Sequence, residues 1–211
     1  MKKTLLIILP LLLIVGCEHG LVVDYYENGQ RKSQATYKYG KRDGLYVIWH
    51  PNGQKRYESF WNNGKENGVF LYWNENGKKI EERRWNDGKL DGLWTAWYEN
   101  GQKRRERPYD YGKVNGLVTE WYENGKKKTE VTYNNGLKEG PYSYYYDNGD
   151  TEEGINKNDG KEGTFIYYYR NGDRMEGSNK NGVKEGPYVY YNRFHGTKST
   201  GTYKNGKRIR D

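Results

Sequence analysis

Short runs of aromatic and β-branched residues alternate with more polar runs of similar length, and no helical spacing appears after the first twenty residues. One kind of run reads Leu93-Trp94-Thr95-Ala96-Trp97-Tyr98, and its counterpart one unit earlier reads Val69-Phe70-Leu71-Tyr72-Trp73. The other kind reads Lys55-Arg56-Tyr57-Glu58-Ser59-Phe60-Trp61, and then Lys79-Ile80-Glu81-Glu82-Arg83-Arg84-Trp85. Both suit a pleated surface and predict β-strands. Turn signals separate them. Asn-Gly falls at 28–29, 52–53, 76–77, 100–101, 124–125 and 148–149, each 24 residues after the last. It recurs 23 residues later at Asn171-Gly172, and the next slot reads His195-Gly196. Half a unit on come Tyr39-Gly40, Asn63-Gly64, Asp87-Gly88, Tyr111-Gly112, Asn135-Gly136, Asp159-Gly160, Asn181-Gly182 and Asn205-Gly206. Both series read as two-residue hairpin turns, which need positive φ. The chain is therefore expected to be all-β: an elongated, twisted antiparallel meander of about eight 24-residue hairpin repeats.

Aligning the copies produces columns. Tyr25, Trp49, Trp73, Trp97, Trp121, Tyr145, Tyr168 and Tyr191 form one, and Leu45, Val69, Leu93, Leu117, Pro141, Thr164 and Pro187 another. Four residues separate them on the same strand, so they share a face. The first is expected to be a structural aromatic ladder that substitutes for a thick core. A third column, Tyr37, Trp61, Trp85, Tyr109, Tyr133 and Tyr203, closes the second strand, with Lys157 and Asn179 expected in the slots where it is interrupted. The opposite face carries Tyr46, Phe70, Trp94, Tyr142, Phe165 and Tyr188, with Tyr72, Tyr144, Tyr167 and Tyr190 two residues on. These ten are the candidate binding residues. Ala96, Val118 and Glu120 interrupt that face and are candidates for setting specificity. About sixteen strands at ~4.8 Å each give a sheet on the order of 75 Å long.

The run Asp91-Gly92-Leu93-Trp94-Thr95-Ala96-Trp97-Tyr98-Glu99-Asn100-Gly101-Gln102-Lys103 resembles the bacterial variant of the MORN repeat, and the resemblance extends roughly from Val23 to Lys207. It implies a meandering sheet used for docking, for scaffolding near lipid, and for self-association. Bacterial proteins of this kind often carry a YwqK-type antitoxin label. That implies a rival expectation, an immunity-type protein that neutralises a toxin by direct binding. An envelope scaffold that self-associates through its end strands is a third.

The N-terminus reads as an address. Lys2-Lys3 precede an apolar run from Thr4 to Val15, which is too short to span a bilayer comfortably and is helical if ordered. Ile14-Val15-Gly16-Cys17 resembles a bacterial lipobox, which implies acylation of Cys17, the chain's single cysteine. The expected division is a signal peptide at 1–16, a lipidated N-terminus and short linker at 17–22, and a repeat sheet at 23–211. The expected location is the cell envelope, lipid-anchored, in the outer membrane if the host has two membranes.

The net charge of +8 falls to +6 without Lys2 and Lys3, and both signs are dense, with 36 basic and 28 acidic residues. Glu58, Glu82, Glu106 and Glu130 recur in the polar strands beside basic residues. The excess is too diffuse for nucleic acid. Partners are expected to be the membrane, through lipid at Cys17, and a protein, anionic glycan or lipid headgroup. His19, His50 and His195 lack metal-like spacing, so no metal is expected. Neighbouring carboxylates such as Glu81-Glu82 point to opposite faces of a strand and cannot flank a substrate. The resulting expectation is a non-catalytic binding or adhesion platform without a cofactor, acting through an aromatic-basic sheet face.

Overall fold

The computed structural model describes residues 19–209. The expectations for residues 1–16 and for Cys17 lie outside the described residues. Everything described forms one antiparallel sheet of 21 strand segments. Strands pair only with strands one or two segments away in the chain, from His19–Tyr25 against Arg31–Lys38 to Thr197–Lys204 against Lys207–Ile209. Among the described residues the first and last strands do not pair with each other, so the meander is open. Strand pairing starts at His19, earlier than the repeat columns suggest, and takes in residues 19–22 of the expected linker.

The two turn series differ, and only one matches the two-residue expectation. Asn63 and Gly64 have φ of 48° and 82°, and Asp87 and Gly88 have 49° and 81°; these are two-residue turns with both residues left-handed. In the Asn-Gly series only the glycine is left-handed. Gly29 N–H donates to Tyr26 O at 2.9 Å and Tyr26 N–H to Gln30 O at 2.8 Å, which closes a three-residue loop. Asparagine is favoured there for its side chain. Asn52 Oδ1 accepts from Gln54 N–H at 3.0 Å, and its Nδ2 donates to Glu75 O of the next turn at 2.7 Å. Asn28 and Asn100 bridge forward in the same way, to Pro51 O and Glu123 O. The opposite edge is stitched backward: Gly64, Gly88 and Gly112 N–H donate to Arg42, Glu66 and Leu90 O. Both edges of the sheet are therefore hydrogen-bonded ladders of turns.

The 23-residue spacing has a structural cause. In the earlier hairpins one residue after the loop leaves the ladder. Trp97 pairs with Lys103 and Ala96 with Arg105, so Arg104 bulges out. Arg56, Ile80 and Lys128 do the same. From the sixth hairpin onward the bulge is gone: Tyr145 pairs with Thr151 and Tyr144 with Glu152. Everything downstream moves up by one residue. The left-handed pair of that copy is Asn158-Asp159, in place of the expected Asp159-Gly160. Asn156 stands opposite Gly140, as Tyr133 stands opposite Gly116, so Asn156 and not Lys157 occupies the third column. Asn179, opposite Gly163, is placed as expected.

Cross-strand pairs share a face, which assigns the columns. Phe70 faces Arg83, and Tyr72 faces Glu81. Trp85 packs on Phe70 with centroids 5.6 Å apart, so the third column shares the face of the candidate binding residues. This inner face is the more buried one. Phe165 is fully buried, and Phe70, Tyr142 and Ala96 nearly so. With no second layer, such burial requires the sheet to curl toward that face so that side chains of adjacent strands close over one another. Three glycines make room for it. Gly154, Gly177 and Gly201 stand opposite Tyr142, Phe165 and Tyr188, and a Cβ on them would sit 2.7, 2.8 and 2.6 Å from those side chains.

The tryptophan column occupies the outer face, and its rings do not stack on one another. Strands carrying the same column are separated by a polar strand, which puts copies about 10 Å apart. Lysines fill the gap: Lys79 Nζ lies 4.5 Å from the Trp97 centroid, with Lys55 over Trp73 and Lys103 over Trp121. Each lysine is also held by a glutamate three residues on, as Lys79–Glu82 at 2.9 Å and Lys127–Glu130 at 2.6 Å. Beside this ladder Leu45, Phe60, Val69, Leu93, Leu117 and Ile155 stay exposed.

Candidate functional site

The ten candidate binding residues all lie on the inner face, which divides into three stretches. Ring-on-ring packing fills the N-terminal stretch. Tyr57 sits between Tyr46, Phe70 and Tyr72, at centroid distances of 5.7, 5.8 and 4.9 Å. Burial pushes its hydroxyl pKa up to about 12. Arg42 covers Tyr46 and Trp61.

The central stretch is different because the column positions there are small or charged. Ala96 and Val118 are buried, and Glu120 replaces a tyrosine. Arginines occupy the space that the missing rings leave. Arg83, Arg105 and Arg107 place their guanidinium carbons 5.7, 5.9 and 5.4 Å from the Trp94 centroid. Glu81 neutralises Arg83 at 2.6 Å, and Glu120 neutralises Arg105 at 2.5 Å. Arg107 makes no ion pair among the described residues. Trp85 Nε1, Trp94 Nε1 and Arg107 Nε are buried without an acceptor, so this stretch carries an excess of donors. At the preceding repeat the same need is met, since Trp61 Nε1 donates to Ser59 Oγ at 2.9 Å; Arg83 takes that serine's place.

The C-terminal stretch is a tyrosine cluster with buried acceptors. Phe165, Met175 and Tyr203 form its core, with Tyr167, Tyr169, Tyr188 and Tyr190 packed against it. Lys184 caps Phe165 at 4.3 Å. Tyr142 donates to Glu152, which also receives Lys161 Nζ at 2.5 Å. Asp150 accepts from Tyr167 Oη at 2.7 Å and from Arg170 N–H at 2.9 Å, and Asp173 accepts from Tyr190 and Arg193 in the same manner. The tyrosine hydroxyls hold both aspartates below the usual carboxylate range. Burial raises Tyr142 and Tyr167 well above an ordinary phenol. Phe70, Tyr142 and Phe165 are thus taken up by packing, whereas Tyr46, Tyr72, Trp94, Tyr144, Tyr167, Tyr188 and Tyr190 remain half-buried with ring surface toward solvent.

One column escaped the sequence reading. Tyr26, Tyr98 and Tyr122 each donate a hydroxyl to the last strand carbonyl of the next repeat, at Trp49, Trp121 and Tyr145. His50 takes this slot with Nε2 3.0 Å from Trp73 O, which requires the proton on Nε2. Its signal was a polar ring immediately after the tryptophan column. His50 is therefore a buried structural residue. Among the described residues no group of His, Cys, Asp and Glu is arranged to hold a metal ion, and no helix is long and apolar enough to cross a membrane.

No curated protein matches the chain. Four segments, 18–39, 42–63, 90–111 and 114–135, match the MORN repeat variant, and all four precede the hairpin in which the bulge is lost. Four of the hairpin repeats in this sheet are therefore similar to the MORN repeat variant.

Proposed function

We propose that this protein is a non-catalytic binding platform, exported and lipid-anchored at Cys17 in the cell envelope, that holds an anionic partner against its inner face. The observation that carries this reading is the central stretch: a Trp94 ring among three guanidiniums, with Arg107 uncompensated and nearby donors lacking acceptors. An aromatic-cationic surface of this kind favours carboxylate, sulfate or phosphate groups on a protein or glycan. The outer face is a weaker candidate, because its lysines are already neutralised by glutamates.

Two experiments test this. Labelling with a fatty-acid analogue tags the wild type and not Cys17→Ser; equal labelling of both overturns the anchor. Crosslinking in intact cells gives an adduct that weakens with salt and is lost in Arg107→Gln. An adduct indifferent to both overturns the inner-face reading.

A further inference from the structure

The turns of successive repeats pack on one another in a definite direction, and that direction reverses once. In the first five repeats the earlier turn reaches forward. Asn28, Asn52 and Asn100 donate to the next turn's backbone, Lys78 Nζ donates to Glu99 O, and Gln30, Gln54 and Gln102 lie over Gly53, Gly77 and Gly125. In the later repeats the following turn reaches back: Arg170 lies over Gly149, and Arg193 over Gly172. The side-chain amides there turn inward, Asn148 to its own Asp150 and Asn171 to its own Asp173. Between the fifth turn and the sixth neither arrangement operates, because the sixth hairpin is the first without a bulge. A cleft of about 310 Å³ opens at this junction.

Its lining mixes polar, charged and aromatic residues. Asn124, Lys126, Lys127 and Asp147 border it, with Tyr145, Tyr146 and Asp150; Lys127 is held by Glu130 at 2.6 Å, and Asp150 by Tyr167 and Arg170. In three of the four repeats before it, the amide of the equivalent asparagine, Asn28, Asn52 or Asn100, bridges to the next turn. Here Asn124 keeps only its local bond, Oδ1 accepting from Lys126 N–H at 3.0 Å. Among the described residues its Nδ2, Lys126 Nζ and the Asp147 carboxylate have no partner, and all three residues are exposed.

We propose that this cleft binds a single uncharged pyranose ring of a carbohydrate. Three features select that chemistry. The volume lies at the lower end of the ~300–1,000 Å³ that small-molecule sites occupy, so it suits one ring. Donors and acceptors are both offered within one cleft, and vicinal hydroxyls are both donor and acceptor. Free charge of opposite sign, at Lys126 and Asp147, leaves no net preference for an ion, while tyrosine rings provide apolar surface for the sugar's C–H face. The site is distinct from the central inner face and does not depend on it.

Saturation-transfer NMR on the full-length protein in detergent, with methyl β-glucoside and N-acetylglucosamine as probes and sorbitol as the acyclic control, tests this. Transfer to ring protons is expected for at least one pyranose, with a dissociation constant on the order of 1 mM and none for sorbitol. Asn124→Ala and Asp147→Ala each weaken it about tenfold; both side chains are exposed, and unchanged melting verifies the fold. Arg107→Gln leaves the transfer intact, which separates this site from the inner face. Absence of transfer from either sugar, equal transfer to sorbitol, or undiminished transfer in both cleft variants overturns the proposal.

Discussion

At the scale of single residues, two positions show how closely the inner face and the turn edge are fitted. Gly177 has ordinary strand φ, but the edge of Phe165 lies where a Cβ would go. Gly177→Val should cost about 1–3 kcal/mol by overpacking, read as a lowered melting temperature. Gly101 is the opposite case, with open space around it and φ of +86°. Its Val variant should lose about 1–2 kcal/mol through backbone strain alone. His50 makes a third test. His50→Tyr restores the hydroxyl that three other repeats use and should be neutral or stabilising. His50→Leu leaves Trp73 O buried without its donor and should cost about 1–3 kcal/mol. Equal melting of the two variants would mean that the inter-repeat hydrogen bond contributes nothing.

At the scale of the element, the bulge decides what length changes a repeat tolerates. Copies with and without it coexist in this sheet, so the residue that bulges is dispensable to the ladder. Deleting Arg104 should turn the fourth hairpin into a copy of the sixth, with a small loss in thermal stability. Deleting Thr95, in mid-strand, moves Trp94 or Ala96 to the wrong face and should cost far more. Parallel melts of the two deletions check this. The repeat, its two turns and the all-β sheet were legible in the sequence because Asn-Gly and aromatic spacing are local signals. The loop type was not, since asparagine serves here through its amide and not through its φ. Nor was the outcome for the tryptophan column. Alternation gave its face, but which face curls inward depends on glycines on the opposing strands. Of the central inner stretch, Ala96, Val118 and Glu120 stood out as interruptions. That arginines from polar strands would fill the gap required the register.

At the scale of the whole molecule, stability is a sum over neighbouring strands, and pH should dissolve it unevenly. Asp150 and Asp173 have folded pKa values below those of the unfolded chain, so their contribution is present above the ordinary carboxylate range and lost as pH falls through it. Both are in the C-terminal stretch, so amide exchange on acidification should rise there first. The tyrosines have the reverse sign. The folded pKa values of Tyr57, Tyr142 and Tyr167 are raised, so their contribution is complete below pH ~10 and lost as pH rises further. Absorbance at 295 nm should show exposed phenols ionising first and these three last. A single smooth titration of all tyrosines would contradict their burial.

Because every strand finds its partners one or two segments away in the chain, no part of the chain has to wait for a distant one. Loop-closure entropy is met one hairpin at a time, and the closure cost per hairpin does not grow with the number of repeats. A chain emerging N-terminus first from a narrow exit can then zip up as it appears, each new hairpin laid on an edge already formed. Such a chain never presents more than one unpaired edge at the growing end. Its length can change by whole repeats during descent without making folding slower.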